Sequence, residues 1–136
     1  MILVIDANVL FSALIKNSLT AELIFEKDLK LYTCEFIIEE FLKHEKEILN
    51  KMHRTKEEFI QIMHQLKDII TIIPKEEYIH FIEKAKTISP DKKDAIYFAL
   101  ALKLKCPIWS NDKALKQQSA VNIYSTQEII DIFKND

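Results

Sequence analysis

Short apolar runs alternate with stretches whose apolar residues recur at helical spacing along the chain. Ile2–Ile5 and Ile69–Ile73 consist of apolar or β-branched residues only, which is typical of buried strands. We expect strands at residues 2–5, 29–33, 69–73, 107–109 and 121–124. Because strands alternate with helices, the pattern predicts one α/β domain over residues 1–136, with three layers (α/β/α) and a central, mainly parallel sheet of about five strands.

The segments between these strands carry signals for the start of a helix. Residues 55–58 (TKEE) and 125–128 (STQE) each match a capping box, in which a Thr or Ser and a Glu three residues later satisfy backbone N–H groups. Asn8 and Thr20 are also expected to cap helices, and Asp112 begins a short predicted helix.

Three longer segments are predicted as single helices from the positions of their apolar residues. Residues 35–49 form one of them, with Phe36 on the buried side, and residues 76–87 form another, with Ile79 facing inward. The third begins near Pro90 and carries apolar residues at i, i+3, i+4 and i+7, which indicates an amphipathic helix.

The composition narrows the possible functions. The chain has no glycine, which excludes a dinucleotide fingerprint, a Walker-type phosphate loop and a nucleophile elbow, because each needs glycine where the backbone turns tightly or approaches a ligand. Apolar residues make up 49% and charged residues 29%, which is typical of a globular protein, and no apolar run approaches the roughly 20 residues that span a membrane. Because the chain has no glycine, any bound phosphate must be held by side chains or metal ions.

The cysteines and the net charge indicate where in the cell the protein is expected and which partners it can attract. Cys34 and Cys106 form neither a disulfide framework nor a zinc-binding spacing, and the opening MILVID lacks the basic start of a signal peptide, so a cytoplasmic location is expected. The formal net charge of −2 supplies no general attraction for nucleic acid. A polyanionic partner would therefore have to meet a local basic face or a bound metal.

Four acidic residues stand where an α/β sheet would bring them together. Asp6 ends the first predicted strand and Asp112 closely follows the fourth, so both are expected at the carboxyl edge of the sheet, where open α/β folds place their sites. Asp94 opens an apolar helix, and Glu40 lies within another. Converging carboxylates repel each other, and the usual reason for such a cluster is a hard divalent cation, Mg²⁺ or Mn²⁺, which takes oxygen ligands.

Each of these acids also has a purely structural explanation. Asp6, Asp94 and Asp112 could each cap or begin a helix, where the helix dipole favours a negative charge. Glu40 could be an ordinary solvated residue like Glu39. We favour Glu40 over Glu39 because it borders the apolar side of its helix, whereas Glu39 lies about 100° further round.

Several segments resemble the motifs of PIN domains, the metal-dependent ribonuclease fold that includes the VapC group of toxin–antitoxin pairs. Residues 4–10 (VIDANVL) resemble the opening motif, residues 91–101 (DKKDAIYFALA) resemble the helix of the third acid, and residues 109–113 (WSNDK) resemble the motif of a strand, Ser or Thr, any residue and Asp. Glu40, within IIEEFL, matches the second acid. The motifs occur in the family's order over nearly the whole chain, although Ala114 stands where many relatives have another acid.

The resemblance implies an endoribonuclease whose carboxylates hold one or two Mg²⁺ or Mn²⁺ ions. It makes Asp6 and Asp94 the main metal ligands, while Glu40 and Asp112 bind directly or through water, or position the attacking water. The side chains expected to orient these carboxylates or to touch phosphate are Asn8, Ser110 and Asp91. As in the VapC group, the implied partners are an RNA substrate, a small antitoxin protein and a second copy of the chain in a homodimer.

A basic segment follows the second acid. Residues 43–56 contain four candidate contacts to the RNA backbone, which would form a basic lip beside the acids: Lys43, Lys46, Lys51 and Arg54. The alternative is an ordinary solvated helix end and loop, because glutamates interleave with these basic residues.

Other roles stay open at this point. A housekeeping RNA-processing nuclease would need the same acids as a toxin. A non-catalytic PIN module that binds RNA or protein would not need the complete set. A flavodoxin-like receiver would require an adjacent acidic pair after the first strand, but position 7 is Ala.

Overall fold

Five parallel strands form one sheet within residues 1–15 and 17–135, which are the residues that the computed structural model describes. The strands are β1 (Ile2–Ile5), β2 (Lys30–Cys34), β3 (Ile70–Ile73), β4 (Ile108–Trp109) and β5 (Ile123–Tyr124). Their order across the sheet is β3-β2-β1-β4-β5, and each neighbouring pair is parallel. The predicted α/β class and the five strand positions are confirmed, with ends that shift by one or two residues.

Helices cover both faces of this sheet. Leu3, Val4 and Ile5 are all fully buried, and successive strand residues point to opposite faces, so neither face of β1 meets solvent. The described helices are α1 (Ala7–Ala13), α2 (Leu19–Leu23), α3 (Phe36–Lys43), α4 (Glu45–Met52), α5 (Lys56–Ile69), α6 (Lys75–Tyr78), α7 (Ile82–Ile88), α8 (Ala95–Leu104) and α9 (Thr126–Lys134). None of these helices is long and apolar enough to cross a bilayer.

Helix α8 is the most deeply packed helical element around the candidate site. It contacts β1, β2, β4 and α7. Its buried residues occupy most of its circumference and are Ala95, Tyr97, Phe98, Ala99, Leu100 and Ala101. A helix that is apolar on most sides is held from several directions, so the start of α8, where Asp94 lies, is fixed relative to the carboxyl ends of β1 and β2.

The segment predicted as one helix over residues 35–49 is two helices, α3 and α4. The backbone at His44 leaves the helical region, with φ −105° and ψ 22°. Two backbone hydrogen bonds still cross the junction, from the His44 N–H to the Glu40 carbonyl and from the Ile48 N–H to the His44 carbonyl. The junction is therefore a bend. The prediction that Phe36 is buried is wrong, since this side chain is 53% exposed.

The segment predicted as one helix over residues 76–87 is also interrupted. A 3-10 turn at Ile79–Phe81 separates α6 from α7. A 3-10 turn has three residues per turn, so the face that points inward rotates relative to an α-helix. Ile79, predicted to face inward, is consequently 46% exposed.

The helix starts agree in part with the predictions. Both capping boxes, at Thr55 and Ser125, are formed. The first helix is capped by Asp6, and not by Asn8, because an Asp6 oxygen accepts the Val9 N–H at 2.9 Å. The second helix is capped by Ser18, and the predicted cap Thr20 is instead buried inside the protein. The short helix after Asp112 is a 3-10 helix over Lys113–Gln117.

Candidate active site

The central strands bring two polar segments together at the carboxyl edge of the sheet. Strands β1 and β4 are neighbours, with Ile5 opposite Trp109, so Asp6 and Ser110 follow at matching positions. A cleft of about 350 Å³ opens beside them. Among the described residues it is lined by Asp6, Ala7, Asn8, Cys34, Phe36, Ile37, Glu40, Lys93, Asp94, Ile96 and Tyr97. Three of the four predicted acids therefore face one cleft.

Asp6 is the most buried of these acids, with only 3% of its surface exposed. Its carboxylate accepts the Val9 N–H and the hydroxyl of Ser110. Burial raises the pKa of Asp6 and the Asp112 carboxylate adds to the rise, while these two hydrogen bonds oppose it. The structural explanation is thus correct for Asp6, since this residue caps α1. Capping does not explain why the negatively charged Asp112 carboxylate lies near it.

Asp94 is not explained by capping. It occupies the N-cap position of α8, yet among the described residues no backbone N–H of that helix donates to its side chain. Burial raises the pKa of Asp94 to about 6, and the carboxylates of Asp91, Asp6 and Asp112 contribute in that order, while Lys93 opposes the shift. Asp94 therefore lies in an excess of negative charge that Lys93 does not balance, and a bound cation would neutralise this excess.

Asp112 lies on the other side of Asp6 and is exposed. One of its oxygens accepts the Ala114 N–H at 3.0 Å, so it caps the 3-10 helix that follows. Its own backbone N–H donates to the Ser110 hydroxyl at 3.1 Å. It lies outside the lining of the cleft, but its charge is close enough to raise the pKa of both Asp6 and Asp94.

Glu40 lines the cleft from α3 and is partly exposed. Its carboxylate lies 3.6 Å from the His44 imidazole one turn later. Glu39 is exposed and is absent from the lining as the structure describes it. The geometry places Glu40, and not Glu39, beside Asp6 and Asp94.

The other predicted residues surround this group. Asn8 is exposed and lines the cleft. Asp91 accepts the Lys93 N–H at 3.0 Å and its charge raises the pKa of Asp94. Ser110 is 1% exposed and bridges two acids, because its hydroxyl donates to Asp6 and accepts from the Asp112 N–H.

The basic segment is only partly available for a ligand. Lys43, Lys46 and Lys51 are exposed, whereas the Arg54 Nε–H donates to the Leu14 carbonyl and ties this side chain to the fold. Lys51 lines a separate groove of about 230 Å³, which Glu40 also borders. The structure thus places Lys51 next to the acid cleft and gives Arg54 a structural contact.

Two residues of the cleft were missed by reasoning from the sequence. Lys93 is a cation in the lining, and its position directly before Asp94 was a usable signal. Tyr97 also lines the cleft, and burial, with smaller contributions from Cys34, Asp6 and Asp94, raises the pKa of its phenol. It therefore keeps its proton at neutral pH and can serve as a hydrogen-bond donor.

The donor set suits Mg²⁺ or Mn²⁺, but it does not form a closed cage. Within residues 1–15 and 17–135, no three Asp, Glu, His or Cys side chains are grouped closely enough to hold a metal ion. Mg²⁺ usually keeps several water ligands and needs only one or two carboxylates, so a partly hydrated ion between Asp6 and Asp94 fits the residues present. The carboxylate oxygens of these acids and the raised pKa values of Asp6 and Asp94 both favour a hard cation.

Comparisons with known proteins agree with this geometry. A chain in the crystal structure of VapBC2 from Rickettsia felis, bound to a DNA fragment from its promoter, superposes with a TM-score of 0.63 at 12% sequence identity. The match covers 92% of this chain and 98% of that chain, which shows a shared fold. A search of curated proteins finds no match. The family model of the PIN domain matches residues 4–130, and the chain therefore belongs to the PIN domain family.

Proposed function

We propose that this protein is an endoribonuclease that depends on Mg²⁺ or Mn²⁺. The observation that carries the proposal is the convergence of Asp6, Asp94 and Asp112 at one edge of the sheet, where the charge of Asp112 raises the pKa of Asp6, and the charges of Asp6 and Asp112 raise the pKa of Asp94. A protein that only needed helix caps would gain nothing from this repulsion. Membership of the PIN domain family supports the same function.

The roles of the residues follow from their positions. Asp6 and Asp94, which face the cleft from β1 and α8, would hold one or two ions. Glu40 and Asp112 would reach an ion directly or through water, or would orient the attacking water. A bound divalent ion supplies charge neutralisation at the scissile phosphate and makes water a better nucleophile.

Several further side chains can act on the substrate. Lys93 lies in the cleft lining and can pair with a phosphate oxygen. Asn8 and the protonated Tyr97 can donate hydrogen bonds there. Because the chain has no glycine, these side chains would replace the backbone cradle that other phosphate-binding folds use.

We propose a toxin of a toxin–antitoxin pair as the biological role. The VapBC2 complex with the same fold supports this role, together with the motif resemblance. The corresponding partners would be RNA as substrate, a small antitoxin protein and a second copy of the chain. A short reading frame that overlaps the upstream end of the gene would favour a toxin over a housekeeping nuclease.

A cleavage assay tests the enzyme itself. Wild-type protein should cut single-stranded or looped RNA with Mg²⁺ or Mn²⁺, and a chelator should abolish the cleavage. Asp6→Asn and Asp94→Asn should each reduce turnover by about a hundredfold or more, since each weakens the hold on the ion. Glu39→Gln is the matched control and should retain turnover, whereas Glu40→Gln should lose it. Metal-dependent cleavage that survives both aspartate changes would place the active site elsewhere.

A further inference from the structure

The loop that carries Asp112 is attached to α9 through one threonine. The Thr126 hydroxyl accepts the Trp109 indole N–H at 3.0 Å and the Asn111 side-chain N–H at 3.0 Å. The Asn111 side-chain oxygen in turn accepts the Thr126 backbone N–H at 2.8 Å. Two residues that are 15 positions apart are therefore joined by a pair of hydrogen bonds, here called the Asn111–Thr126 clamp.

The direction of each hydrogen bond in the clamp can be deduced. A backbone N–H can only donate, so the contact from Thr126 N fixes which end of the Asn111 amide is oxygen. Indole and amide N–H groups also only donate, so they occupy both lone pairs of the Thr126 hydroxyl. Its own hydrogen is then free to point to the Thr20 hydroxyl, 3.3 Å away on α2. Each polar atom of the clamp has a defined partner.

The clamp is connected to Asp112 through consecutive residues of the chain. Trp109 is fully buried and Thr126 is 8% exposed, so the hydrogen bond between the indole and the threonine hydroxyl is shielded from water, whereas the bond from the exposed Asn111 is only partly buried. Between Trp109 and Asn111 lies Ser110, whose hydroxyl contacts both Asp6 and the Asp112 N–H. Fixing Trp109 and Asn111 on either side of Ser110 also fixes the backbone that presents Asp112.

We propose that Asn111 and Thr126 are positioning residues that hold the Asp112 carboxylate toward Asp6 and Asp94. Their importance for catalysis rests on the proposed nuclease function, but their effect on Asp112 does not. Substrate and metal need not touch either residue. Precise placement of carboxylates around an ion depends on such supporting hydrogen bonds.

Amide hydrogen exchange, measured by NMR on the full chain, tests the positioning without any activity. Thr126→Val keeps the side-chain shape and removes the hydroxyl. It should accelerate exchange at the Asp112 and Ala114 N–H groups about tenfold or more, because local opening of this loop becomes easier. Thr126→Ser should restore the wild-type rates, and Asn111→Ala should behave like Thr126→Val.

Ser125→Ala is the matched control for helix stability. It removes the neighbouring cap of α9 but leaves the clamp in place. Exchange at Asp112 should then stay at the wild-type rate. Equal acceleration by Ser125→Ala and Thr126→Val would mean that Thr126 only stabilises α9, and this result would overturn the proposal.

RNA cleavage supplies the second measurement. Thr126→Val should lower kcat about tenfold with little change in KM, as expected when the geometry of the reacting groups is disturbed. Combined with Asp112→Asn, it should cause no further loss, because both changes act through the same carboxylate. Additive losses would show that Thr126 acts independently of Asp112. A wild-type protein without cleavage activity would refute the proposed function, while the exchange rates would still decide the positioning.

Discussion

The polar groups on the two sides of Asp6 are arranged in opposite ways. On the side of β4 and α9, Ser110, Asn111 and Thr126 pair with one another or with neighbouring groups through hydrogen bonds. On the side of α8, Asp94 is partly buried, lacks a capping hydrogen bond in the described structure and has a pKa raised to about 6. On the first side the polar groups pair with each other, whereas the second side keeps more negative charge than Lys93 balances.

This difference separates structural polar residues from functional ones. Buried polar groups that pair with each other stabilise the fold and fix geometry. A partly buried carboxylate surrounded by other carboxylates lowers the stability of the folded state, so its presence indicates a ligand that removes the cost. The first side should therefore respond mainly to changes in hydrogen bonding, and the second side mainly to cations and to pH.

A divalent ion should act strongly on the α8 side. Mn²⁺ at a hundred times its dissociation constant should stabilise the wild-type protein by about 2.7 kcal/mol, because it binds only the folded state. Asp94→Asn should lose most of this gain. It is a cleaner variant than Asp6→Asn, since Asp6 also accepts hydrogen bonds from Val9 and Ser110. Thermal melts with and without Mn²⁺ measure the effect.

Glu39→Gln is the control for the metal measurement and should gain as much stability as wild type. A wild-type Tm that does not change in saturating Mn²⁺ would contradict the metal site. An equal gain in wild type and in Asp94→Asn would show that the ion binds elsewhere.

Removing the Thr126 hydroxyl should destabilise the β4–α9 side without any metal. Thr126→Val leaves the fully buried indole N–H of Trp109 without a partner, which should lower the free energy of unfolding by about 1–3 kcal/mol. Thr126→Ser keeps the hydroxyl and should cost less. Urea unfolding followed through Trp109, the single tryptophan, measures both variants. Equal stability of Thr126→Val and wild type would mean that the indole finds another partner.

The dependence of the free energy of unfolding on pH should show that the pKa of Asp94 is raised in the folded protein. The pKa of Asp94 is raised from 3.8 to about 6 in the folded protein, so the folded state binds this proton more tightly than the unfolded chain. Its contribution to stability is therefore fully present below pH 3.8 and is lost as pH rises through about 6. Asp94→Asn removes this contribution. The stability of wild type relative to Asp94→Asn, without metal, should fall between pH 4 and pH 7.

The comparison between the two proteins cancels the titration of carboxylates far from Asp94, so the remaining pH dependence comes from Asp94 and from the nearby Asp91, Asp6 and Asp112 that interact with it. The free energies of unfolding come from urea melts at matched ionic strength. A difference between wild type and Asp94→Asn that stays constant across this range would contradict the raised pKa of Asp94.

The smallest effect is expected at the basic segment. Lys51→Gln should weaken RNA binding and reduce the slope of log affinity against log salt by about one unit, if Lys51 contacts one phosphate. Lys84→Gln, which removes an exposed lysine on α7, serves as the control. Arg54 is unsuitable for this test because its contact with the Leu14 carbonyl makes its loss a stability effect. An unchanged slope for Lys51→Gln would favour a solvated helix end.

The sequence by itself determined the local structure and the candidate acids. Apolar runs predicted the five strands, and the capping boxes at Thr55 and Ser125 are present in the structure. These features depend on residues within a few positions of each other, so a local pattern contains the information. The same locality explains the error at Ile79, where a 3-10 turn changed the face that points inward. Phe36 begins α3 and lines the open cleft, so its exposure depends on tertiary surroundings that a local pattern does not contain.

Only the tertiary structure decided which of these groups meet. The strand order places β4 beside β1, and this brings Ser110 and Asp112 to Asp6 from about a hundred residues further along the chain. The Asn111–Thr126 clamp and the raised pKa of Asp94 depend on contacts and burial that no local pattern records. Periodicity shows which residues turn inward, whereas hydrogen bonding and desolvation depend on what each side chain finds there.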